Sequence, residues 1–183
     1  MQPLTVAFLG PAGTFSDDAL RAAGARAPAG VEPRPAVTIH DAVMAVALGE
    51  SDRALVPFEN SIEGSVRPTL DALAFDAESV SIAGEHDLAI SQSLIARSET
   101  ELGDIEVVVS HPQPSAQCAR FLREELPQAE VRGTDSTAEA VRQVSESDGR
   151  WAALGPASTA DLYGCVVLRE GVEDEKGNVT RFA

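Results

Sequence analysis

Short apolar runs alternate with amphipathic ones along the whole chain. Thr5-Val6-Ala7-Phe8-Leu9 is nearly all apolar and closes at Gly10, the pattern of a buried strand. Ser16 follows as an expected N-cap, with Asp17 and Asp18 in the first turn of a helix ending near Gly24. Pro35–Val37 predicts a short strand. Thr38 with Asp41 forms a variant capping box for a helix whose apolar face is Val43, Met44, Val46, Ala47 and Leu48, stopped by Gly49. Arg53–Pro57 reads as a strand, Glu59–Gly64 as a polar loop, and Ser65 as the cap of a helix through Leu70–Leu73.

Val80–Ala83 and Leu88–Ala96 predict two extended segments, and Val107–Val109 a buried strand running into Ser110-His111-Pro112-Gln113. A helix carrying Ala116, Ala119, Phe121 and Leu122 should stop at Pro127, and Val131 marks a short strand. Ser136-Thr137-Ala138-Glu139 fits the Ser/Thr-x-x-Glu capping box. Trp151–Leu154 predicts a strand, Pro156–Tyr163 a helix with Gly164 at its C-terminal turn, Val166–Leu168 a strand, and Thr180–Phe182 a last extended piece. Strand–helix alternation with short connections predicts a mainly parallel α/β sheet. The paired segments at 80–96 break that rhythm and read as crossovers between two lobes. The expected lobes are residues 1–75 with 165–183, and 76–164, with the ligand at the carboxyl ends of strands.

Charge narrows the partner. The 183 residues hold 29 acidic and 14 basic side chains, a formal net charge of −15. Nucleic acid and an anionic membrane surface are therefore excluded as main partners, while one small anion needs only a local donor site. Lys176 is the one lysine, which almost removes Schiff-base chemistry. Cys118 and Cys165 lack metal-ligand spacing and read as reduced buried thiols. Met1-Gln2-Pro3-Leu4 shows no basic region and no apolar core of a leader, so a cytoplasmic protein is expected. No phosphate-binding Walker loop, no Gly-x-Gly-x-x-Gly and no Gly-x-Ser-x-Gly elbow is present.

The chemistry-bearing residues cluster where strands end. Gly10-Pro11-Ala12-Gly13-Thr14-Phe15-Ser16 combines glycines with a helix start, which suits an anion or a plain turn. Glu59-Asn60-Ser61-Ile62-Glu63-Gly64-Ser65 places a carboxylate, an amide and a hydroxyl in succession. Ser110-His111-Pro112-Gln113 is followed one turn later by Gln117, on the face of Gln113. Asp135–Glu139, Gly155–Ser158 and Asn178-Val179-Thr180-Arg181-Phe182 complete the set. Each has a structural reading as a cap, turn or edge. Together they point to a small anionic ligand.

Taken in order, these motifs resemble the prephenate dehydratase family. The resemblance rests on Gly10–Ser16, Pro57–Val66, Ser110–Gln113, Ala116-Gln117-Cys118, Ser136–Ala140, Tyr163-Gly164 and Asn178–Phe182, with small departures at Pro114-Ser115 and Pro156. It implies a two-lobed α/β fold similar to type II periplasmic binding proteins, with the active site in the cleft between lobes. It implies conversion of prephenate to phenylpyruvate, water and carbon dioxide in phenylalanine biosynthesis, with no metal or organic cofactor. Self-association as a homodimer or higher homo-oligomer is expected. Family members usually carry a C-terminal ACT domain that binds phenylalanine. The chain stops at Ala183, so either a catalytic fragment or a chain without that regulation is expected. The alternatives are an arogenate dehydratase, which performs the same elimination on the aminated substrate, and a non-catalytic binding module for an amino acid or keto acid.

The reaction aromatises a ring by losing carbon dioxide and hydroxide, so a protein must hold two carboxylates and help the hydroxyl depart. The resemblance assigns that help to Thr180, with Glu59 as second choice if desolvation keeps its carboxyl protonated. Asn60 is the third expected catalytic residue. The expected substrate contacts are Thr14, Ser61, Ser110, His111, Gln113, Gln117, Ser136, Thr137, Asn178, Arg181 and Phe182.

Overall fold

The computed structural model describes residues 2–25 and 27–183; Met1, at the start of the N-terminal stretch read above, and Arg26 lie outside them. The chain opens with β1 (Leu4–Leu9), α1 (Phe15–Gly24), β2 (Val31–Ala36), α2 (Ile39–Ala47) and β3 (Arg53–Leu55). The three strands form a parallel sheet of order β2-β1-β3. Alternation along β1 builds its two faces. Ala7 packs with Ala42 and Val43 of α2, while Val6 and Phe8 pack with Leu20 of α1. The helix α2 has the full expected box, with Thr38 Oγ1 accepting from Asp41 N and Thr38 N donating to Asp41 Oδ2. The cap of α1 is Thr14 rather than Ser16: Thr14 is extended and accepts from Asp17 N, which leaves Ser16 inside the helix and buried.

Next come the strands β4 (Pro57–Asn60) and β5 (Gly64–Ser65), then α3 (Arg67–Asp71), a π-helical turn over Ala72–Asp76, and β6 (His86–Ala89). Here the expectations need correction. Glu59 and Asn60 are strand residues, not loop, because β4 is hydrogen-bonded on both sides. Ser65 lies in β5 and caps nothing. Val66 takes the N-cap position of α3 without a side-chain bond, and Pro68 supplies the favoured early proline. Val80–Ala83 forms no strand.

The middle of the chain runs β7 (Ser93–Ala96), β8 (Val107–Ser110), α4 (Pro112–Gln117), α5 (Ala119–Glu125), β9 (Glu130–Gly133), α6 (Thr137–Glu146), β10 (Trp151–Gly155), α7 (Ser158–Tyr163) and β11 (Val166–Glu170). The single helix expected before Pro127 is two, broken at Cys118, whose backbone leaves the helical region. Gly164 ends α7 at φ 65°, a left-handed conformation that glycine adopts without penalty. The five strands order as β11-β7-β10-β8-β9. Helices cover both faces, which explains the continuous apolar runs. Leu94, Val108, Ala152 and Leu154 pack with Leu122 and Leu126, while Ile95, Val107, Val109 and Ala153 pack with Val141 and Val144.

The chain returns as β12 (Val179–Phe182), which enters an antiparallel sheet of order β5-β4-β12-β6. Of the nine strand pairings among the described residues, five are antiparallel, so the fold is mixed α/β rather than mainly parallel. The antiparallel pairs come from the β4–β5 hairpin and from β7 and β12, each of which runs against both of its neighbours. Two compact units result: Met1–Ile90 with Asn178–Ala183, and Ser91–Gly177. The boundaries expected near 75 and 165 move for a physical reason. The strand β6 pairs with β12 and keeps residues to 90 in the first unit, while β11 pairs with β7 and keeps the chain to 177 in the second. Among the described residues no helix is long and apolar enough to cross a membrane.

Leu154 has no exposed surface, and Val131 on the outermost strand of the five is 48% exposed. Leu154→Ala should cost about 2–5 kcal/mol and Val131→Ala under about 0.5 kcal/mol in urea titrations. Equal shifts in midpoint would contradict this layering.

Candidate active site

In the first unit, three polar side chains from two of the sequence motifs form one buried network. Asn60, Asn178 and Thr180 are 7%, 3% and 8% exposed. Asn60 Oδ1 accepts from the backbone N–H groups of Ile62 and Glu63 at 2.9 and 3.0 Å. Two donors on the oxygen fix which way the carboxamide points. Its Nδ2 must then donate, to Asn178 Oδ1 at 2.8 Å and Thr180 Oγ1 at 2.9 Å. Ser61 extends the network: its Oγ donates to Asn178 Oδ1 and accepts from Val179 N. With Asn178 Oδ1 occupied twice, the donor side of that amide points elsewhere. Thr180 Oγ1 already accepts, and its own hydrogen meets no acceptor among the described residues. The arrangement therefore presents a neutral hydroxyl donor on a rigid strand, held by an oriented amide.

The same sheet keeps Glu59 and Arg181 away from that network. Thr180 stands opposite Asn60 on β4 and Leu88 on β6, while Arg181 stands opposite Glu59 and Asp87. Successive strand residues face opposite sides, so Thr180 and Asn60 share one face and Arg181, Glu59 and Asp87 the other. Burial agrees: Thr180 and Phe182 are buried, and the Arg181 and Glu59 side chains are 42% and 49% exposed. Arg181 lies 3.4 Å from Glu59, 3.7 Å from Glu85 and 3.5 Å from Asp87. Three carboxylates surround the guanidinium expected to hold a substrate carboxylate. Glu59 is exposed and ion-paired, so the dry surroundings that an acid role requires are absent. Phe182 is core at 2% exposure. Thr14 spends its hydroxyl locally, donating to Pro11 O and accepting from Asp17 N.

In the second unit, the carboxyl ends of parallel β8, β9 and β10 gather the remaining expected residues. Ser110 lies beside Gly133 in register, and a Cβ on Gly155 would meet Thr137 Cβ at 3.4 Å. Most of these side chains have structural work. Ser110, fully buried, donates to His111 O; His111 caps α4 by accepting from Gln113 N; Ser136 caps α6 by accepting from Glu139 N. The second half of the expected box is missing, because Glu139 turns to Arg142 and Gln143, whose hydrogen bonds hold its carboxyl down at about 2. Gln113 is exposed, and Thr137 is 8% exposed in the first turn of α6. Gln117, the last residue of α4, accepts at Oε1 from Gln92 Nε2 at 3.3 Å. Gln92 escaped sequence reading, although Ser91-Gln92-Ser93 is a polar triplet inside the Leu88–Ala96 run. Burial, with Asp174 and Glu173 adding to it, pushes the Cys118 thiol up to about 12, an inert core sulfur. Among the described residues no group of three or more His, Cys, Asp or Glu could hold a metal ion.

A family model for prephenate dehydratase matches residues 6–183. The chain belongs to the prephenate dehydratase family. It is 40% identical over 183 residues to the bifunctional chorismate mutase/prephenate dehydratase of Neisseria gonorrhoeae, covering 99% of this chain and 49% of that protein. A Mycobacterium sp. (strain JLS) prephenate dehydratase is 40% identical over 97% of this chain and 58% of its own length. The chain thus spans about half to three-fifths of these relatives. Among solved structures, the Arthrobacter aurescens prephenate dehydratase in complex with L-Phe superposes with TM-score 0.86 at 37% identity, over 98% of this chain and 59% of that one. GqqA, a quorum quenching acylase, superposes with TM-score 0.79 at 30% identity, over 97% and 62%. A Bacillus subtilis lipoprotein at 10% identity and TM-score 0.51, over 100% and 83%, shares the fold alone. The family match runs through both polar clusters, and the network around Asn60 lies wholly inside it.

The sorting of neighbours onto opposite faces predicts unequal costs. Asn60→Ala orphans two backbone donors and should cost about 1–3 kcal/mol in urea unfolding. Glu59→Ala, one residue away, should stay within about 0.5 kcal/mol. Similar losses for the two would contradict the register argument.

Proposed function

We propose that the chain acts as a prephenate dehydratase, releasing phenylpyruvate, carbon dioxide and water. The observation that carries the reading is the Thr180 hydroxyl, buried, fixed by Asn60 and with its hydrogen available. In the reaction the bond to the ring carboxylate breaks, and its electron pair becomes a ring double bond. The ring C–O bond breaks in turn, and the hydroxyl takes up one proton to leave as water. Thr180 donates a hydrogen bond to that oxygen as negative charge develops on it, where a preorganised donor contributes most. As that proton passes to the leaving oxygen, solvent supplies one to Thr180 in the same step, since an alkoxide is too basic to persist. Asn60 is a positioning residue acting through Thr180 and Asn178. The Asn178 amide is a second donor for a substrate oxygen.

Neutral donors suit this substrate. The ring carboxylate loses its charge as carbon dioxide departs, so a tight cation at that group would favour the ground state. Arg181 is taken up by carboxylates and has no part in this scheme. An acylase reaction, as named for GqqA, calls for an activated nucleophile. In the network around Asn60 the Ser61 and Thr180 hydroxyls meet amides and backbone rather than an imidazole, so the dehydratase reading fits the geometry better.

The test is incubation of the purified chain with prephenate and with arogenate separately, following phenylpyruvate and phenylalanine. Phenylpyruvate formed from prephenate supports the reading. Turnover of arogenate alone would replace it with the aminated substrate, and turnover of neither would overturn it.

A further inference from the structure

Ser61 stands among the expected substrate contacts, yet its hydroxyl is committed on both sides. Its Oγ accepts from Val179 N at 3.0 Å and donates to Asn178 Oδ1 at 3.2 Å. A hydroxyl has one hydrogen, and this bond uses it. Ser61 itself is exposed in the turn after β4, while Asn178 is 3% exposed. Both residues belong to the first unit, as do Asn60 and Thr180.

Polarity runs through these contacts in one direction. It starts at backbone N–H groups, which can only donate. Ile62 and Glu63 fill Asn60 Oδ1, so Asn60 donates onward from Nδ2. Val179 N occupies a lone pair of Ser61 Oγ and directs the hydroxyl hydrogen away, onto Asn178. Asn178 Oδ1 thus receives two donors. A turned-over amide would set its NH2 against Asn60 Nδ2, donor against donor. The sense of the Asn178 carboxamide is therefore fixed, with Nδ2 turned away from Asn60 and Ser61. Its two hydrogens and the one on Thr180 Oγ1 meet no acceptor among the described residues. Without this fixing, the amide would spend part of its time with its oxygen in place of the NH2, and an anionic substrate would be repelled. We propose that Ser61 is a positioning residue: with Asn60 it locks the Asn178 carboxamide so that Asn178 and Thr180 offer donors alone, and they accept only an oxygen that brings lone pairs. A carboxylate, a keto oxygen or a departing hydroxide meets that condition, whereas an ammonium group, which carries hydrogens alone, does not. This rests on the reading of Thr180 and Asn178 as donors in prephenate dehydration.

The test uses Ser61→Ala, Ser61→Thr and Asn178→Asp. Prephenate turnover, thermal melting and the side-chain amide signal of Asn178 in 15N-labelled protein are followed. For Ser61→Ala, kcat/KM should fall about fivefold, the scale of one neutral hydrogen bond, and the Asn178 amide signal should move. The melting temperature should hardly change, because Ser61 is exposed and water can take its place on Val179 N. Ser61→Thr keeps the hydroxyl and should restore both turnover and signal. Asn178→Asp keeps an oxygen for Asn60 and Ser61 but replaces the offered NH2 with a bare carboxylate oxygen. It should melt as a folded protein and lose about a hundredfold or more in kcat/KM. Near-wild-type turnover by Asn178→Asp would overturn the inference, as would a Ser61→Thr chain no better than Ser61→Ala. An Asn178 signal unmoved by Ser61→Ala overturns it without reference to turnover. A wild-type chain that leaves prephenate unchanged instead sinks the parent reading, and the two failures are thereby told apart.

Discussion

The antiparallel pairing of β12 between β4 and β6 decides what the first unit can do chemically. A strand places neighbours on opposite sides, and here the register puts Thr180 against Asn60 and Arg181 against Glu59. A one-residue slip would exchange the two sets and bring an ion pair into the buried face. The register is held by the backbone ladder and by the Asn60 amide, which ties the turn after β4 to Asn178 and Thr180. One side chain therefore fixes a hairpin, a strand register and the orientation of a hydroxyl.

Electrostatics follow from that sorting. In a chain of net charge −15, an arginine beside the site meets carboxylates, and Arg181 has three. The buried face holds no charged member of the network, only two amides and two hydroxyls. Such a site recognises an anion by directed dipoles, which cost little to bury once each is hydrogen-bonded. Under the proposed reaction it also leaves the departing carboxylate without a competing cation.

Much of this was legible in the chain order. The strand at Thr5–Leu9, the Thr38–Asp41 box and the Gly164 helix end follow from local rules of burial, capping and left-handed backbone, and they stand in the structure. Apart from the caps expected at Ser16 and Ser65 and the helix broken at Cys118, what failed were statements about pairing partners. Glu59-Asn60 read as loop because two consecutive polar residues resemble one, yet they pair with a strand about 120 residues later. Leu88–Ala96 read as a single extended segment because its apolar ends hide the polar triplet where one unit gives way to the other. The expected site took Glu59 along with Asn60 and Arg181 along with Thr180, because each pair is adjacent in sequence. Only the pleat of the sheet separates them. Gln92 had no motif at all, and its burial and unmet acceptor are visible only in the structure.

The central claim is that the donor to the leaving hydroxyl is Thr180 and not Glu59. Steady-state kinetics with prephenate on Thr180→Ala, Thr180→Ser and Glu59→Gln, each checked for folding, test it most directly. The account predicts that Thr180→Ala lowers kcat about a hundredfold or more, the scale for removing a preorganised transition-state donor. Thr180→Ser, which keeps the hydroxyl, should retain appreciable activity, and Glu59→Gln should retain most of it. Activity abolished by Glu59→Gln, with Thr180→Ala near wild type, would contradict the account and move the proton to the exposed face.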